Sequence, residues 1–500
     1  MPYRRSKICV SILPKTEEEL LDKIKRCRQA DLVEIRLDFL PHFDLKLLGK
    51  KTSQEIILTI RTPKEGGFFG GTISTIGTAY QKAIENKIDY IDIEFSILDE
   101  VLQNLSIKAP TKLILSKHTS VNNYGRLESM LNSMLKIKAD VYKLIYAAQN
   151  LNDCLTTINL IKKLKKRSKK FVFHAMGEKG KLSRFLGALH GNEWTYVALE
   201  KGVETAEGQI TIAETLNKYF LHEKSLTTRV YGLIGYPVVQ SQGWIIHNQL
   251  FHESMGLAAA NESSQFDALY LNISVKDLYG FWSLWQSFAD GFSVTIPHKE
   301  SILKYADELS EDVRLSGVCN TLIKKENRWV AANTDILAIY ELLHPYRRQL
   351  DSGVLIIGTG ATARSAIVAV QKLNVAKIYL TGRNKPRGGL LSEQYSVEYF
   401  QENKVPDLKL GGIIQTTPVG MYPHEDDQPF GRQYFRKGLI VQDVIYNPVQ
   451  TKFLKSAEDK GCTIISGREM FLLQAREQFR LFSGKSVSRE RLEKIWEEIT

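Results

Sequence analysis

The 500-residue sequence places a lysine, Lys143, inside the apolar run Asp140–Ile145. An ammonium there is costly unless it is paired or deprotonated. A deprotonated lysine can condense with a carbonyl to form a Schiff base. His118 lies just past the apolar run Thr111–Leu115, in Ser116-Lys117-His118-Thr119. One run earlier, the alternation of a strand puts Asp92 and Glu94 on the same face. A carboxylate near a histidine fixes its tautomer and raises its basicity. Lys143, His118 and Glu94 therefore fit an imine-plus-general-base site, with Arg61 and Arg184 as a bidentate clamp for a substrate carboxylate. Spacing alone leaves a second reading open, in which Lys143 snorkels to a rim.

A second set lies downstream. Lys299 follows Ser293-Val294-Thr295-Ile296-Pro297-His298, and Asp335 closes Asn333-Thr334-Asp335. A charged lysine beside an aspartate can give a proton to an alkoxide as hydride arrives. A surface ion pair is the other reading of the same two residues. After the apolar run at Val354 comes Gly358-Thr359-Gly360-Ala361-Thr362-Ala363-Arg364, then a helix pattern. Strand, glycine turn and helix are the context of a dinucleotide fingerprint. The next strand, Lys377–Thr381, ends in Gly382-Arg383-Asn384-Lys385, with Arg387 close behind. NAD sites favour an acid there for the ribose 2′-hydroxyl, whereas this basic cluster suits a 2′-phosphate, so NADP(H) is expected over NAD.

These residues need elements to hold them. Eight strand-like runs occupy the first 215 or so residues: Ile8–Leu13, Leu32–Leu37, Glu55–Ile60, Tyr90–Phe95, Thr111–Leu115, Val141–Ile145, Lys170–His174 and Thr195–Ala198. Helix candidates between and after them are Glu17–Cys27, Thr78–Asn86, Leu127–Ile137, Asn152–Leu164, Leu182–Leu189 and Ile210–Tyr219. Consecutive β/α units predict a (β/α)8 TIM barrel. Glu34, Arg36, Arg61, Glu94, His118 and Lys143 cluster at the C-terminal ends of the runs, where barrel active sites form. From Val230 the β/α pattern resumes, and a last helix is expected over Glu469–Phe482.

Composition sets limits. Lys plus Arg is 67 against 56 for Asp plus Glu, a formal charge of +11, yet no nucleic-acid motif accompanies it. Anionic small substrates explain such a charge as well. The five cysteines, Cys9, Cys27, Cys154, Cys319 and Cys462, are widely spaced, which argues against a zinc site and for a reducing, cytoplasmic setting. The run Ile8–Leu13 is too short for a signal peptide or a membrane span.

Over residues 6–219 the sequence resembles type I 3-dehydroquinate dehydratase. The matching stretches are Val33 to Asp38, Thr59-Ile60-Arg61 with Glu65-Gly66-Gly67, Asp92-Ile93-Glu94, Ser116-Lys117-His118, Lys143, Met176-Gly177, Ser183-Arg184 and Glu207-Gly208-Gln209. The resemblance implies that Lys143 forms an imine with the C3 ketone of 3-dehydroquinate. His118 is implied as the acid/base, oriented by Glu94. Glu34, Arg36, Arg61, Arg184, Thr205 and Gln209 are implied to hold the substrate. Thr205 stands where the family often has serine, and Glu207 replaces its usual proline.

Over roughly residues 230–490 the sequence resembles shikimate dehydrogenase. The resemblance rests on Gly235-Tyr236-Pro237-Val238 with Ser241 and His247-Asn248, Val294 to Lys299, Gly317 to Thr321 and Asn333-Thr334-Asp335. Gly358 to Arg364, Thr416 to Met421, Tyr446-Asn447-Pro448 and Gly467 to Gln474 complete it. It implies reduction of 3-dehydroshikimate with NADPH by the pair Lys299 and Asp335. Ser241, Thr295, Asn320, Tyr446 and Gln474 are implied at the substrate. Gly358, Thr359, Gly360, Ala361, Thr362, Arg383, Asn384, Lys385, Arg387, Met421 and Gly467 are implied at the cofactor. Gly243 and Trp244 depart from the family's serine and proline, Ser293 from an asparagine before Val294, and Gly382 from an asparagine near the cofactor phosphate.

Together these readings predict an α/β chain. A TIM barrel at 1–222 is fused to a two-lobed dehydrogenase with a substrate lobe at 230–335, rejoined by helices at 470–500, and a Rossmann-like NADP lobe at 336–469. The expected function is dehydration of 3-dehydroquinate followed by reduction of the product to shikimate. The alternative keeps the dehydratase and makes the second half a quinate/shikimate-type dehydrogenase of altered substrate or cofactor preference. Small carboxylate substrates, no metal, no nucleic acid, no membrane, and a monomer or weak homodimer complete the expectation.

Overall fold

The computed structural model describes residues 7–48, 52–103, 105, 110–165, 168–256, 265–404 and 408–499. The chain divides into two units, one formed by Met1–Arg229 with Ser254–Leu269 and Gly280–Leu284, the other by the remainder.

The first unit is built on β1 (Lys7–Ile12), β2 (Leu32–Arg36), β3 (Glu55–Thr59), β4 (Tyr90–Glu94), β5 (Lys112–Thr119), β6 (Val141–Ala147), β7 (Lys170–Met176) and β8 (Trp194–Ala198). They form one parallel sheet in the order β7-β6-β5-β4-β3-β2-β1-β8, a near-closed barrel. At the β7/β8 seam the Asn192 side chain bonds the N–H and C=O of Phe173 at 3.0 and 2.9 Å, standing in for strand pairing. Alternation layers the interior. Cys9, Leu32, Tyr90, Val141, Val172 and Trp194 belong to one apolar cluster. Two residues further along the same strands come Ser11, Glu34, Asp92, Lys143, His174 and Tyr196, all buried. The polar layer thus rests on an apolar plug.

Helices Glu17–Arg26, Ile73–Glu85, Tyr124–Met134, Cys154–Lys165, Leu182–His190 and Ile212–Asn217 pack outside the sheet. Glu17–Arg26 shows why they form. Thr16 caps it by accepting from Glu19 N–H, with Glu17, Glu18 and Glu19 in the first turn and Lys23, Lys25 and Arg26 in the last. Between β2 and β3, where the sequence offers no helix candidate, the described residues hold only the 3-10 turn Leu45–Leu47, and a short helix that the sequence does not anticipate, Leu98–Leu102, follows β4. Strands β5, β6 and β7 also run beyond their apolar cores, to Thr119, Ala147 and Met176. Polar residues read as strand ends are instead strand residues near the C-terminal mouth, and His118 is one of them.

The second unit contains two sheets. β9 (Arg229–Gly235), β10 (Ala268–Ser274), β11 (Gly291–Val294), β12 (Glu308–Leu309), β13 (Thr321–Lys325) and β14 (Arg328–Ala332) pair in the order β10-β9-β11-β13-β14-β12. This sheet is mixed: β11 is parallel to β9 but antiparallel to β13, and β13–β14 is a hairpin. Its two-residue turn, Glu326-Asn327, has φ of 47° and 66°, the primed geometry that matches strand twist.

β15 (Val354–Ile357), β16 (Ile378–Thr381), β17 (Glu398–Phe400), β18 (Gly412–Gln415), β19 (Ile440–Asp443) and β20 (Thr463–Ile465) form a parallel sheet in the order β17-β16-β15-β18-β19-β20. That is the doubly wound order, with its reversal between β15 and β18. The helix Gly467–Ser483 runs from this sheet to the first, where Tyr231 Oη donates to the Phe482 carbonyl at 3.2 Å.

Candidate active sites

The barrel site is assembled by alternation on β2, β4 and β6. Lys143 Nζ donates to Glu34 Oε1 at 2.9 Å and Asp92 Oδ2 at 3.0 Å, and lies 4.3 Å from the centre of the Tyr196 ring. Ser11 and Thr59 hydroxyls donate to Glu34 at 2.6 and 3.1 Å. Burial pushes both carboxyls up. The Lys143 ammonium beside Glu34, and Arg61 and then Lys143 beside Asp92, outweigh it and hold both below the usual carboxylate range.

His118 stands on β5, two residues beyond Ser116, which pairs with Lys143 in register. Burial, then the Arg61 charge, lowers its pKa to about 3, so the imidazole is neutral and able to accept a proton near neutral pH.

The carboxylate beside His118 is Glu65, not the expected Glu94. Glu65 Oε2 accepts from the His118 backbone N–H at 2.8 Å and lies 3.4 Å from Nδ1. Its other oxygen accepts from Lys117 Nζ at 2.7 Å and Ser96 Oγ at 2.9 Å. Glu94 is engaged elsewhere, because the N–H and hydroxyl of Thr62 both donate to it at 2.7 Å. Glu65 is set in place by the 3-10 turn Pro63–Glu65, closed by Gly66 at φ 80°. A Cβ at Gly67 would sit 2.0 Å from the Arg61 carbonyl oxygen, so the second glycine is required by close approach. The Arg61-x-x-x-Glu65-Gly66-Gly67 spacing was the signal that could have found it.

The expected cations divide. Arg61 donates to Asp92 at 2.8 Å and Ser116 at 2.9 Å, with Glu94 at 3.5 Å and Glu65 at 3.8 Å. Arg36 makes a bidentate pair with Asp38, at 3.0 and 2.5 Å. Both are enclosed by acids of the chain. Arg184 has no carboxylate partner among the described residues. It donates to the carbonyls of Gly208 at 3.1 Å and Tyr196 at 3.3 Å, and burial lowers its pKa to about 10. It is the cation with capacity for an incoming carboxylate. Thr205 and Gln209 bond each other on the loop after β8, the Thr205 N–H donating to Gln209 Oε1 at 2.9 Å.

In the second unit, Lys299 Nζ donates to Asp335 Oδ2 at 2.7 Å. Asp335 lies in the first turn of the helix Thr334–Leu343, and its other oxygen accepts from Asn320 Nδ2 at 2.8 Å. Asn320 is held in turn by Gln478, which sequence reasoning missed. Gln478 Nε2 donates to the Asn320 carbonyl at 3.2 Å and Thr321 Oγ1 at 3.0 Å, while its Oε1 accepts from Ser293 Oγ at 2.8 Å. Ser293, a departure from the family pattern, thus has a defined role in the scaffold.

Ser241 lies close enough to Tyr446 to oppose the upward push of burial on the phenol. Tyr446 stacks on Phe471 with ring centres 4.4 Å apart. Asn272 Nδ2 donates to the Val238 and Ser241 carbonyls at 3.3 and 3.1 Å, pinning that loop. Thr295 follows β11, and Gln474 lies on the helix Gly467–Ser483, one turn before Gln478. At Gly243 a Cβ would find nothing closer than Ser241 Oγ at 3.6 Å, so the missing side chain leaves space.

A cleft of about 980 Å³ opens at the β15/β18 reversal. Gly358, Thr359, Gly360, Ala361, Thr362, Arg383, Asn384 and Arg387 line it, together with Lys299. Lys385, Met421 and Gly467 are not among its lining residues. A Cβ on Gly467 would fall 2.2 Å from the Ile445 carbonyl oxygen, so that glycine serves packing. The cleft residues fit a phosphorylated dinucleotide. Gly358 has φ 121°, a Cβ on it would meet Thr416 Oγ1 at 2.5 Å, and Gly360 opens onto free space. No side chain caps the helix Ala361–Lys372, which leaves its first N–H groups for an anion. No acid ends β16; Arg383 is exposed there, and Arg387 pairs with Glu300. Among the described residues no cluster of three or more His, Cys, Asp or Glu is placed to hold a metal. No described helix is long and apolar enough to cross a membrane.

Fold and sites define the class: a chain with a lysine-based barrel site and a separate pyridine-nucleotide dehydrogenase unit. Residues 8–225 match the family described as type I 3-dehydroquinase, and residues 233–322 match the shikimate dehydrogenase substrate binding domain. The bifunctional 3-dehydroquinate dehydratase/shikimate dehydrogenase, chloroplastic, of Arabidopsis thaliana is 29% identical over 517 residues, covering 97% of this chain and 83% of that relative. The shikimate dehydrogenase (NADP(+)) of Maridesulfovibrio salexigens is 31% identical, covering 53% of this chain and 96% of the relative. That of Shouchella clausii is 33% identical, covering 54% and 98%. The chain belongs to the shikimate dehydrogenase family and carries a type I 3-dehydroquinase domain before it, the arrangement of bifunctional dehydroquinase/shikimate dehydrogenase proteins.

Proposed function

We propose that the chain catalyses two consecutive reactions, dehydration of 3-dehydroquinate in the barrel and NADPH-dependent reduction of the 3-dehydroshikimate so formed to shikimate. The observation that carries the first is a buried lysine between two carboxylates, beside a neutral histidine. Lys143 must lose its proton to attack the C3 ketone, and Glu34 and Asp92 are in contact to take it. Glu34 is the better acceptor of the two: the Lys143 charge is the main one holding it low, so moving the proton lets burial favour the protonated acid, whereas Arg61 still holds Asp92 low. Condensation releases water and leaves a protonated imine, which acidifies the adjacent C2 proton. His118 accepts that proton and returns it to the departing C1 hydroxyl. Glu65 stabilises the imidazolium, while Arg184, Thr205 and Gln209 hold the substrate carboxylate and hydroxyls. Glu34, Arg36, Arg61 and Glu94 complete the polar frame of the site.

In the second unit the bound dinucleotide supplies the hydride. Lys299 donates a proton to the oxygen of the ketone being reduced, and Asp335 holds its ammonium in place. Asn320 fixes Asp335, with Ser241, Thr295, Tyr446 and Gln474 around the substrate. Arg383, and Arg387 beside Glu300, would hold the 2′-phosphate, and Gly358 to Thr362 would hold the pyrophosphate. The space at Gly243 favours a second reading for this unit, acceptance of a differently substituted ring.

We also propose the lobes 1–222, 230–335 with 470–500, and 336–469, a monomer or weak homodimer, and a cytoplasmic setting, supported by five free thiols. Borohydride with 3-dehydroquinate should trap an adduct on Lys143 that vanishes in Lys143→Ala; no adduct in the wild type would sink the imine mechanism. NADPH should support 3-dehydroshikimate reduction much faster than NADH, and equal rates would contradict the assignment of Arg383 and Arg387.

A further inference from the structure

His174 takes no part in the chemistry above, yet it stands in the same layer of the barrel. It lies on β7 two residues beyond Val172 of the apolar plug, as Lys143 lies two beyond Val141. Its ring meets the Tyr196 ring edge-on, with centres 6.2 Å apart, and Lys143 Nζ sits 4.3 Å from the centre of that same ring. His174 is 1% exposed, comparable to Arg61 at 2% and Arg184 at 3%. Neither of its ring nitrogens has a hydrogen-bond partner among the described residues. The Ser183 backbone approaches the ring without completing a bond. Burial, then the charges of Arg184 and Lys143, hold the imidazole well below its ordinary pKa. It therefore presents one N–H donor and one bare acceptor, both buried and both unused. Packing alone would be better served there by an apolar side chain of the same size.

We propose that His174 is a specificity-determining residue of the barrel site, hydrogen-bonding a ring hydroxyl of the polyhydroxylated keto acid held on Lys143. The proposal rests on the dehydratase reading above. A neutral imidazole suits a hydroxyl, which donates and accepts, better than it suits a carboxylate, which only accepts. Arg184 takes the carboxylate and His174 a hydroxyl, so two neighbouring groups fix both the position and the face of the ring.

The test uses the 500-residue chain with His174→Met and His174→Gln. The expected result for H174M is a fall in 3-dehydroquinate kcat/KM of about tenfold or more, carried mainly by KM, with a Tm equal to or above the wild type. H174Q, which keeps a donor and an acceptor, should recover part of that loss. A histidine serving only structure would give the reverse pattern, a lower Tm with an unchanged KM, and that result overturns the proposal. In wild-type protein carrying 15N-labelled histidine, borohydride trapping should shift a His174 ring-nitrogen resonance. This measurement stands even where H174M does not fold, and an unshifted resonance also overturns the proposal. A wild type that forms no adduct at all refutes the dehydratase reading itself.

Discussion

Glu65 and Glu94 show how two acids in one site differ through their donors. Glu65 takes the His118 backbone N–H at 2.8 Å and stands 3.4 Å from the imidazole, whereas Glu94 takes two donors from Thr62. Contact with Glu65 raises the His118 pKa against burial and Arg61. Glu65→Gln removes that support, so the imidazole becomes a weaker base and its titration moves to lower pH. Dehydratase kcat is expected to fall by about 10–100-fold, with the acid limb of the pH profile displaced downward. Glu94→Gln should move that limb less, and the opposite ranking in a kcat/KM profile would refute the assignment. Gly243→Ser is the matching test in the other unit. A Cβ there meets nothing within 3.5 Å, so serine fits, and its hydroxyl adds a donor beside Ser241. The KM for 3-dehydroshikimate is expected to drop by roughly tenfold, the scale of one hydrogen bond to a charged group. Residues that break a local rule were legible in the sequence. Lys143 announces itself as an ammonium in an apolar run, and Gly358 as a glycine between strand and helix. Glu65 and Gln478 break no rule. One sits on a turn whose position depends on a neighbouring strand, and the other is buried only because its helix crosses a sheet far away in sequence.

At the scale of elements, the strand periods were readable, but their ends were not. β5 to β7 continue past their apolar cores because a barrel mouth accepts polar residues pointing inward, and a window of hydrophobicity closes there too early. The parallel doubly wound sheet could be expected from its glycine turn. The antiparallel hairpin β13–β14 could not, since its turn, Glu326-Asn327, lacks glycine. The glycine turn after β15 gives a direct prediction. Gly358→Ala forces a side chain at φ 121° and sets its Cβ 2.5 Å from Thr416 Oγ1. A cost on the order of 1–3 kcal/mol is expected from the strain alone. NADPH binding, followed by nucleotide fluorescence, should weaken sharply while dehydratase activity persists; unchanged binding would show that this turn does not carry the pyrophosphate. Asp443, at the end of β19, is a second case. Burial raises its pKa to about 7 although Ile445 N–H and Thr451 Oγ1 donate to it at 3.0 and 2.7 Å. Its folded pKa thus exceeds the unfolded value of about 4. The native state holds the proton longer, so this group's contribution to stability is greatest below pH 4 and declines as pH rises towards 7. Asp443→Asn should therefore gain stability over the wild type between pH 5 and pH 8, by on the order of 2 kcal/mol. Denaturant melts at the two pH values measure it, and an advantage that shrinks with rising pH would contradict the protonated reading.

The residues proposed for each of the two reactions fall within one of the two units. Every residue assigned to the imine site lies between Glu34 and Gln209, and every residue assigned to hydride transfer lies between Ser241 and Gln478. The two proposed residue sets do not overlap, so the two reactions should separate cleanly under mutation. Lys143→Ala is expected to abolish dehydration and leave 3-dehydroshikimate reduction at its wild-type kcat. Lys299→Ala should lower reduction by about 10²–10⁴-fold and leave dehydration intact. An equimolar mixture of the two variants then contains one working copy of each site on different chains. With 3-dehydroquinate and NADPH it should oxidise NADPH after a lag, because the intermediate must leave one chain and reach another through solvent. Raising the protein concentration should shorten the lag, and the final rate should match the slower of the two half-reactions measured alone. A silent mixture would show that the intermediate never leaves the chain that made it. Loss of reductase activity in Lys143→Ala alone would show that the barrel site acts on the second unit, and the independence of the two sites would fail.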